Sequence, residues 1–306
     1  MPKVIKQTAH AKKPNTGSVL DEAIPIEELE DEFIKLVIYG QNRTGKTWLA
    51  CQFPKPLLLV SFEPNKTGGA KTVAKVPGIT LMRIKTMEKA LRLAQELKDG
   101  EMEWNGITFK TVVLDSATSY QDIILQDILD LPEVPEQLNW GMVSRDQYRQ
   151  RSEQTKEALR PFLNMDCHTV ITAKERDHNP PDKEKPEMLR GFQLESYIAS
   201  DLGGQTVGWL HDACDYICRL YLAKEVLTET KEVPIPGKAG KTRTLTTSRE
   251  TGKIVRRLRT LYSPNYAAGF RTSTPSVIPE YIESPTFELI KMLIDGKPIP
   301  NGKPKG

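Results

Sequence analysis

The chain has 306 residues, 38% hydrophobic and 27% charged, with a net charge of +3, enough for one large α/β domain or a core with a small appendage. Its longest apolar runs, such as PLLLVSF at 56–62, fall far short of the roughly 18 residues a membrane span needs, and the N-terminus lacks a signal-peptide apolar region, so no membrane role and a cytoplasmic location are expected. Cys51, Cys167, Cys214 and Cys218 form no CxxC pair, so reduced thiols are expected; His211, Cys214 and Cys218 lack a fourth ligand and sit in an apolar segment, which points to packing rather than zinc.

In chain order, 1–31 reads as a flexible tail: scattered lysines, an acidic run at its end, and Pro14, Asn15 and Gly17 breaking any periodicity. An apolar strand at 33–39 (FIKLVIY) then runs into Gly40, Gln41, Asn42, Arg43, Thr44, Gly45, Lys46 and Thr47, which match GxxxxGK[ST], and a helix-compatible WLACQF leaves it. Such a loop turns backbone N–H groups toward phosphates; Lys46 is placed to contact the β and γ phosphates of ATP, and the Thr47 hydroxyl to ligate Mg²⁺.

The next apolar strand, 56–62, ends at Glu63, a carboxylate at the same sheet edge that either orients an attacking water or is an exposed strand-end glutamate. A helix is predicted at 87–98. The buried run TVVL at 111–114 ends in Asp115, which either holds the Mg²⁺ hydration shell with Ser116 as a hydrogen-bonding partner, or caps the following helix. Helices follow at 120–131 and 145–163, and strands at 168–173 and 216–223. Apolar runs alternating with amphipathic stretches predict a mostly parallel sheet wrapped by helices. After position 223 the pattern turns β-like, broken by PIPGKAGK and ETGK, as in a hairpin or small β extension; the Gly-, Pro- and Lys-rich 295–306 reads as disordered.

Charge is unevenly spread. Between positions 231 and 260 nine basic residues face only Glu232 and Glu250, a local +7. That run is either a surface for phosphate backbones or a solvated basic hairpin.

The ordered set GQNRTGKT, SFEP, VVLDS and VITAKER, followed by LGGQTVGWLHDACDYICRL, resembles the ATPase core of RecA-type recombinases, in particular that of phage RecA-like single-strand annealing and recombination ATPases, over about 32–222. The resemblance implies a RecA-like core at 32–223, a basic β-rich extension at 224–294 and the tail at 295–306. It assigns Glu63 as the catalytic glutamate, Asp115 and Ser116 to the metal site, and Lys174 to the γ-phosphate sensor position, where that family usually has glutamine or histidine. It also implies a DNA-binding loop at about 175–205, where Arg176, Lys183, Lys185 and Arg190 accompany Phe192, a ring able to stack on a base, among the acids Asp177, Asp182, Glu184 and Glu187. The loop at 132–148, with Trp140, Arg145 and Tyr148, is a second candidate.

The same resemblance places ATP between subunits of a ring or filament, with Arg219 or Lys224 as possible donors to a neighbouring site. The function it implies is ATP hydrolysis coupled to binding of single-stranded DNA and to annealing or strand pairing, with a single-stranded-DNA-binding protein as a possible partner, in the cytoplasm of a phage-infected bacterium. The alternatives are a helicase-type motor and a nucleotide-gated recombination mediator with little turnover.

Overall fold

Every apolar run that meets a turn in the sequence becomes a strand of one sheet. The computed structural model describes residues 33–63, 68–131, 143–178, 197–234 and 242–299; the expected tail at 1–31 lies outside them. In chain order come β1 (Lys35–Gly40), α1 (Lys46–Ala50), β2 (Leu57–Ser61), a 3-10 turn (Gly69–Val73), β3 (Ile79–Arg83) and α2 (Met87–Asp99). A two-residue hairpin, β4 (Glu103–Trp104) and β5 (Ile107–Thr108), precedes β6 (Thr111–Asp115), α3 (Ala117–Leu129), α4 (Arg145–Leu163), β7 (His168–His178), β8 (Tyr197–Ser200) and α5 (Gly204–Ala213). The chain closes with β9 (Tyr216–Pro234), β10 (Thr242–Arg259), β11 (Gly269–Phe270), β12 (Tyr281–Glu283) and α6 (Phe287–Ile294).

The main sheet has the order β12-β10-β9-β1-β7-β6-β2-β3. From β9 to β3 every pairing is parallel, and β10 and β12 extend it antiparallel. Alternation along each strand sends side chains to two cores. Val37, Val60, Val112 and Ile171 meet Ala94 of α2, Ile124 of α3, Phe162 of α4 and Leu210 of α5 on one face. Leu36, Ile38, Leu59 and Val170 meet Leu49 of α1 and Ile290 of α6 on the other. Each such side chain taken out of water contributes about 1.5–3 kcal/mol. α4 spans its predicted limits, and its start is set by the reciprocal capping box of Ser144 and Gln147.

Beyond position 223 β9 and β10 form the expected hairpin, which is continuous with the core sheet. β9 runs unbroken through that border, and β10 pairs along it, with the register shifting at Glu250/Ile254, where the ETGK break was read. The segment read as β-rich ends in a helix: Thr286 caps α6, and Ile290 and Leu293 bury its inner face. Residues 295–299 are packed rather than loose, since Lys297 N donates to Met292 O at 2.8 Å and Ile299 is buried. No helix among the described residues is long and apolar enough to cross a membrane.

Gly40, the last residue of β1, lies against β9 so closely that an added Cβ would stand 2.1 Å from the Leu220 carbonyl oxygen. Backbone cannot rotate away as a side chain does, so Gly40→Ala must prise two central strands apart. The expected cost is about 1–3 kcal/mol, read as a lower urea midpoint at unchanged m-value. An unshifted midpoint would mean the β1–β9 contact yields freely.

Candidate active site

Strand register gathers four strand ends at one sheet edge, the carboxyl side on which parallel α/β sheets bind ligands. Gly40 of β1 stands beside Lys174 of β7, and Asp115 of β6 beside Ser61 of β2, with Glu63 two residues further on. β7 lies between β1 and β6, so the end of β7 comes between the strand that enters the glycine-rich loop and the strand that ends at Asp115.

The loop at 40–47 is held by its own polar groups. Thr44 Oγ1 donates to Gln41 O at 2.9 Å, and Lys46 Nζ donates to the carbonyls of Gly40 and Gln41 at 2.8 and 2.7 Å. Gly45 turns into α1 with φ 98°, a left-handed value that favours glycine. Burial pulls the Lys46 ammonium below the ordinary lysine value, while Asp115, Glu175 and Glu63 favour its charge.

Asp115 is buried and holds two hydroxyls: Thr47 Oγ1 donates to Oδ2 at 2.9 Å and Thr172 Oγ1 to Oδ1 at 2.5 Å. A carboxylate and a hydroxyl at the end of a phosphate loop are hard oxygen donors, the set that suits Mg²⁺ when nucleotide phosphates and water supply the remaining positions. No group of three or more His, Cys, Asp or Glu placed to hold a metal occurs among the described residues. The donors present therefore fit a nucleotide-borne Mg²⁺.

Ser116 has a different task from the one expected of it. Its hydroxyl caps α3, accepting from Ser119 N at 3.3 Å and lying 3.0 Å from Ser119 Oγ, whereas the Asp115 carboxylate turns to Thr47 and Thr172. Burial, and then Asp115, push the Glu63 carboxyl above its ordinary value, against the pull of Lys174, Lys46 and the Ser119 side chain. Lys174 thus shares its field between Glu63 and Asp122, a half-buried carboxyl on α3 that burial also raises. Its backbone N–H donates to Thr118 Oγ1 at 3.1 Å.

Three contributors escaped the sequence reading. Thr172 sits two residues before Lys174, and a hydroxyl fully buried in the run HTVITA was the available signal. Gly69 approaches the site across the chain: a Cβ there would lie 2.4 Å from Thr47 Oγ1 and 2.8 Å from Asp115 Oδ2, so only glycine lets the 3-10 turn close over that pair. Arg256 of β10 donates Nε to Thr44 O at 3.1 Å, with its guanidinium 5.8 Å from the ring centroid of the exposed Trp48. Nothing in the sequence brings position 256 to the loop.

The expected DNA residues are only partly placed. Arg176 is exposed at the end of β7, 4.0 Å from Asp201, while Lys183, Lys185, Arg190 and Phe192 lie outside the described residues, as does Trp140. Arg145 is exposed at the start of α4, and Tyr148 lies 4.9 Å from the Arg151 guanidinium. Arg219 is buried and binds Glu175 inside the fold through Nε and Nη2, at 2.8 and 3.2 Å. Lys224 is on the surface, paired with Glu250.

Three of the nine basic residues of the run are matched across the sheet, Lys253 by Glu225, Arg257 by Glu283 and Arg259 by Glu280. All four cysteines are free and buried. His211 faces Ser200, and Cys214 and Cys218 enter opposite cores, so these three side chains do not converge.

A family model described as an AAA domain matches residues 32–257, most of the chain and the whole of this site. The chain belongs to the AAA-domain family. Among solved structures, one titled as the crystal structure of the RadB recombinase is similar to this AAA-domain chain at 15% identity and a TM-score of 0.35, covering 74% of this chain and 89% of that one. No curated protein matches it. The phosphate loop and the buried aspartate that grips its threonine are those of a P-loop nucleotide-binding core.

Proposed function

We propose that this AAA-domain chain hydrolyses ATP with Mg²⁺ at residues 40–47, Asp115 and Glu63, and couples that reaction to single-stranded DNA, promoting annealing or strand pairing of the phage recombination type. The observation that carries the catalytic part is the grip of Asp115 on Thr47, with the half-buried Glu63 carboxyl within its field.

The loop's N–H groups and Lys46 hold the phosphates. Glu63 accepts a proton as the water oxygen attacks the γ-phosphorus; the bond from that phosphorus to the bridging oxygen breaks, and ADP and phosphate leave. Mg²⁺, when bound, neutralises charge developing on the phosphate oxygens. Asp115 fixes the orientation of Thr47, and Thr172 fixes Asp115.

The DNA part is supported by the ordered resemblance to RecA-type cores and by where β7 leads: past Lys174 the strand carries Arg176 out to solvent. Lys224 is the surface candidate for a contact across a ring or filament of this chain.

The test is the ATPase rate of the full chain with and without a single-stranded oligonucleotide. The expected outcome is a severalfold stimulation, with binding that weakens as salt rises because phosphate contacts release counterions. Absence of DNA binding by the intact protein overturns the DNA reading and leaves the ATPase reading to its own variants.

A further inference from the structure

The reacting end of the site lies to one side of β1. Asp115, Thr172, Lys174 and Glu63 all come from β6, β7 and β2, which follow β1 in one direction across the sheet. A nucleotide whose terminal phosphate faces them must send its sugar and base the opposite way, over β9 and β10.

That side carries an unusual surface. Trp48 directly follows the phosphate-loop threonine in α1, yet its ring is 41% exposed, a large apolar area to leave in water. Arg256 lies over it from β10, anchored on the carbonyl of Thr44 and packed against Gly45, where an added Cβ would lie 3.0 Å from Nε. Leu222, cross-strand partner of Arg256 and therefore on the same face of the hairpin, is 51% exposed. An indole ring, a planar cation and an aliphatic side chain thus line the exit from the phosphate loop.

We infer that Trp48, braced by Arg256 and Leu222, is a stacking platform for the nucleobase of the bound nucleotide. A base is flat, apolar on its faces and polarisable, so it gains from an indole ring on one side and a guanidinium nearby. Arg256 also ties base recognition to the loop itself, since the same side chain touches Thr44 and Trp48. The inference rests on the proposed nucleotide site at residues 40–47 and names the part of the ligand that site leaves unassigned.

The experiment compares the affinity of the full chain for ADP and for inorganic pyrophosphate, both with Mg²⁺, by titration calorimetry. Pyrophosphate offers the same phosphates without sugar or base. Trp48→Ala is expected to weaken ADP by about tenfold or more, the scale of losing one base–aromatic stack, and to leave pyrophosphate unchanged. Trp48→Phe, which keeps a ring, should recover most of the ADP affinity. Equal losses for both ligands would mean that Trp48 only supports the loop, and an unchanged ADP affinity would mean that the base lies elsewhere; either overturns the inference. A wild-type chain that binds neither ligand defeats the nucleotide site as a whole, whereas one that binds both with no distinction in Trp48→Ala defeats the platform alone.

Discussion

Glu63→Gln is expected to lower kcat for ATP by about 10²–10⁴-fold, the range lost when a positioned general base is removed, with KM little changed. The substitution keeps size and polarity but cannot accept the proton of the attacking water. Its environment also predicts a pH signature. Burial and Asp115 hold the Glu63 carboxyl above its ordinary 4.5. A base works deprotonated, so the rate should rise with pH along a limb lying above that value, and Glu63→Gln should remove the limb.

Lys174 favours the charged carboxylate, so Lys174→Met should raise the Glu63 pKa and carry the limb toward higher pH. A pH–rate profile of kcat for the wild type and both variants checks this. Undiminished turnover in Glu63→Gln would show that another group activates water, and would favour a nucleotide-gated module whose turnover is incidental.

The positions of Glu63 and Asp115 were legible because they obey a local rule. An apolar strand that stops at a carboxylate delivers that carboxylate to the sheet edge, and both LLLVSF before Glu63 and TVVL before Asp115 say so in consecutive letters. The phosphate loop is likewise one contiguous string. Arg256 and Gly69 had no such signal, because each reaches the site through strand order or a crossover rather than through its neighbours. Arg256 depends on β10 lying beside β9, and Gly69 on a turn that folds back over Thr47.

The partners of part of the basic run were hidden for the same reason. Charge counted along the chain ignores that Glu280 and Glu283 arrive from another segment to pair with Arg259 and Arg257. β3 escaped because it is an edge strand with no fully buried position, so its sequence ITLMR has no continuous apolar run. In α6, Thr286, Ile290 and Leu293 carried a cap and a helical spacing, but the β-like residues before them set the expectation for the whole segment.

Asp115→Asn separates the metal role of this carboxylate from its structural one. The aspartate accepts hydrogen bonds from Thr47 and Thr172 while itself buried. Truncation to alanine would strip both hydroxyls of their acceptor at about 1–3 kcal/mol for each group left unsatisfied, so Asp115→Ala should lose stability and activity together. Asparagine is nearly isosteric. Its amide oxygen still accepts from one threonine, and its NH₂ donates to the other hydroxyl, which serves as donor or acceptor by rotating.

The fold of Asp115→Asn should therefore persist, with a melting temperature within a few degrees of wild type by circular dichroism. What it lacks is the negative charge. Charge stabilisation by a bound metal is worth several kcal/mol in the transition state, so kcat should fall on the order of a thousandfold, and raising Mg²⁺ or replacing it with Mn²⁺ should recover part of the loss. A variant that keeps wild-type turnover at limiting Mg²⁺ would show that Asp115 only braces Thr47, and the cation would then have to be held from another side of the loop.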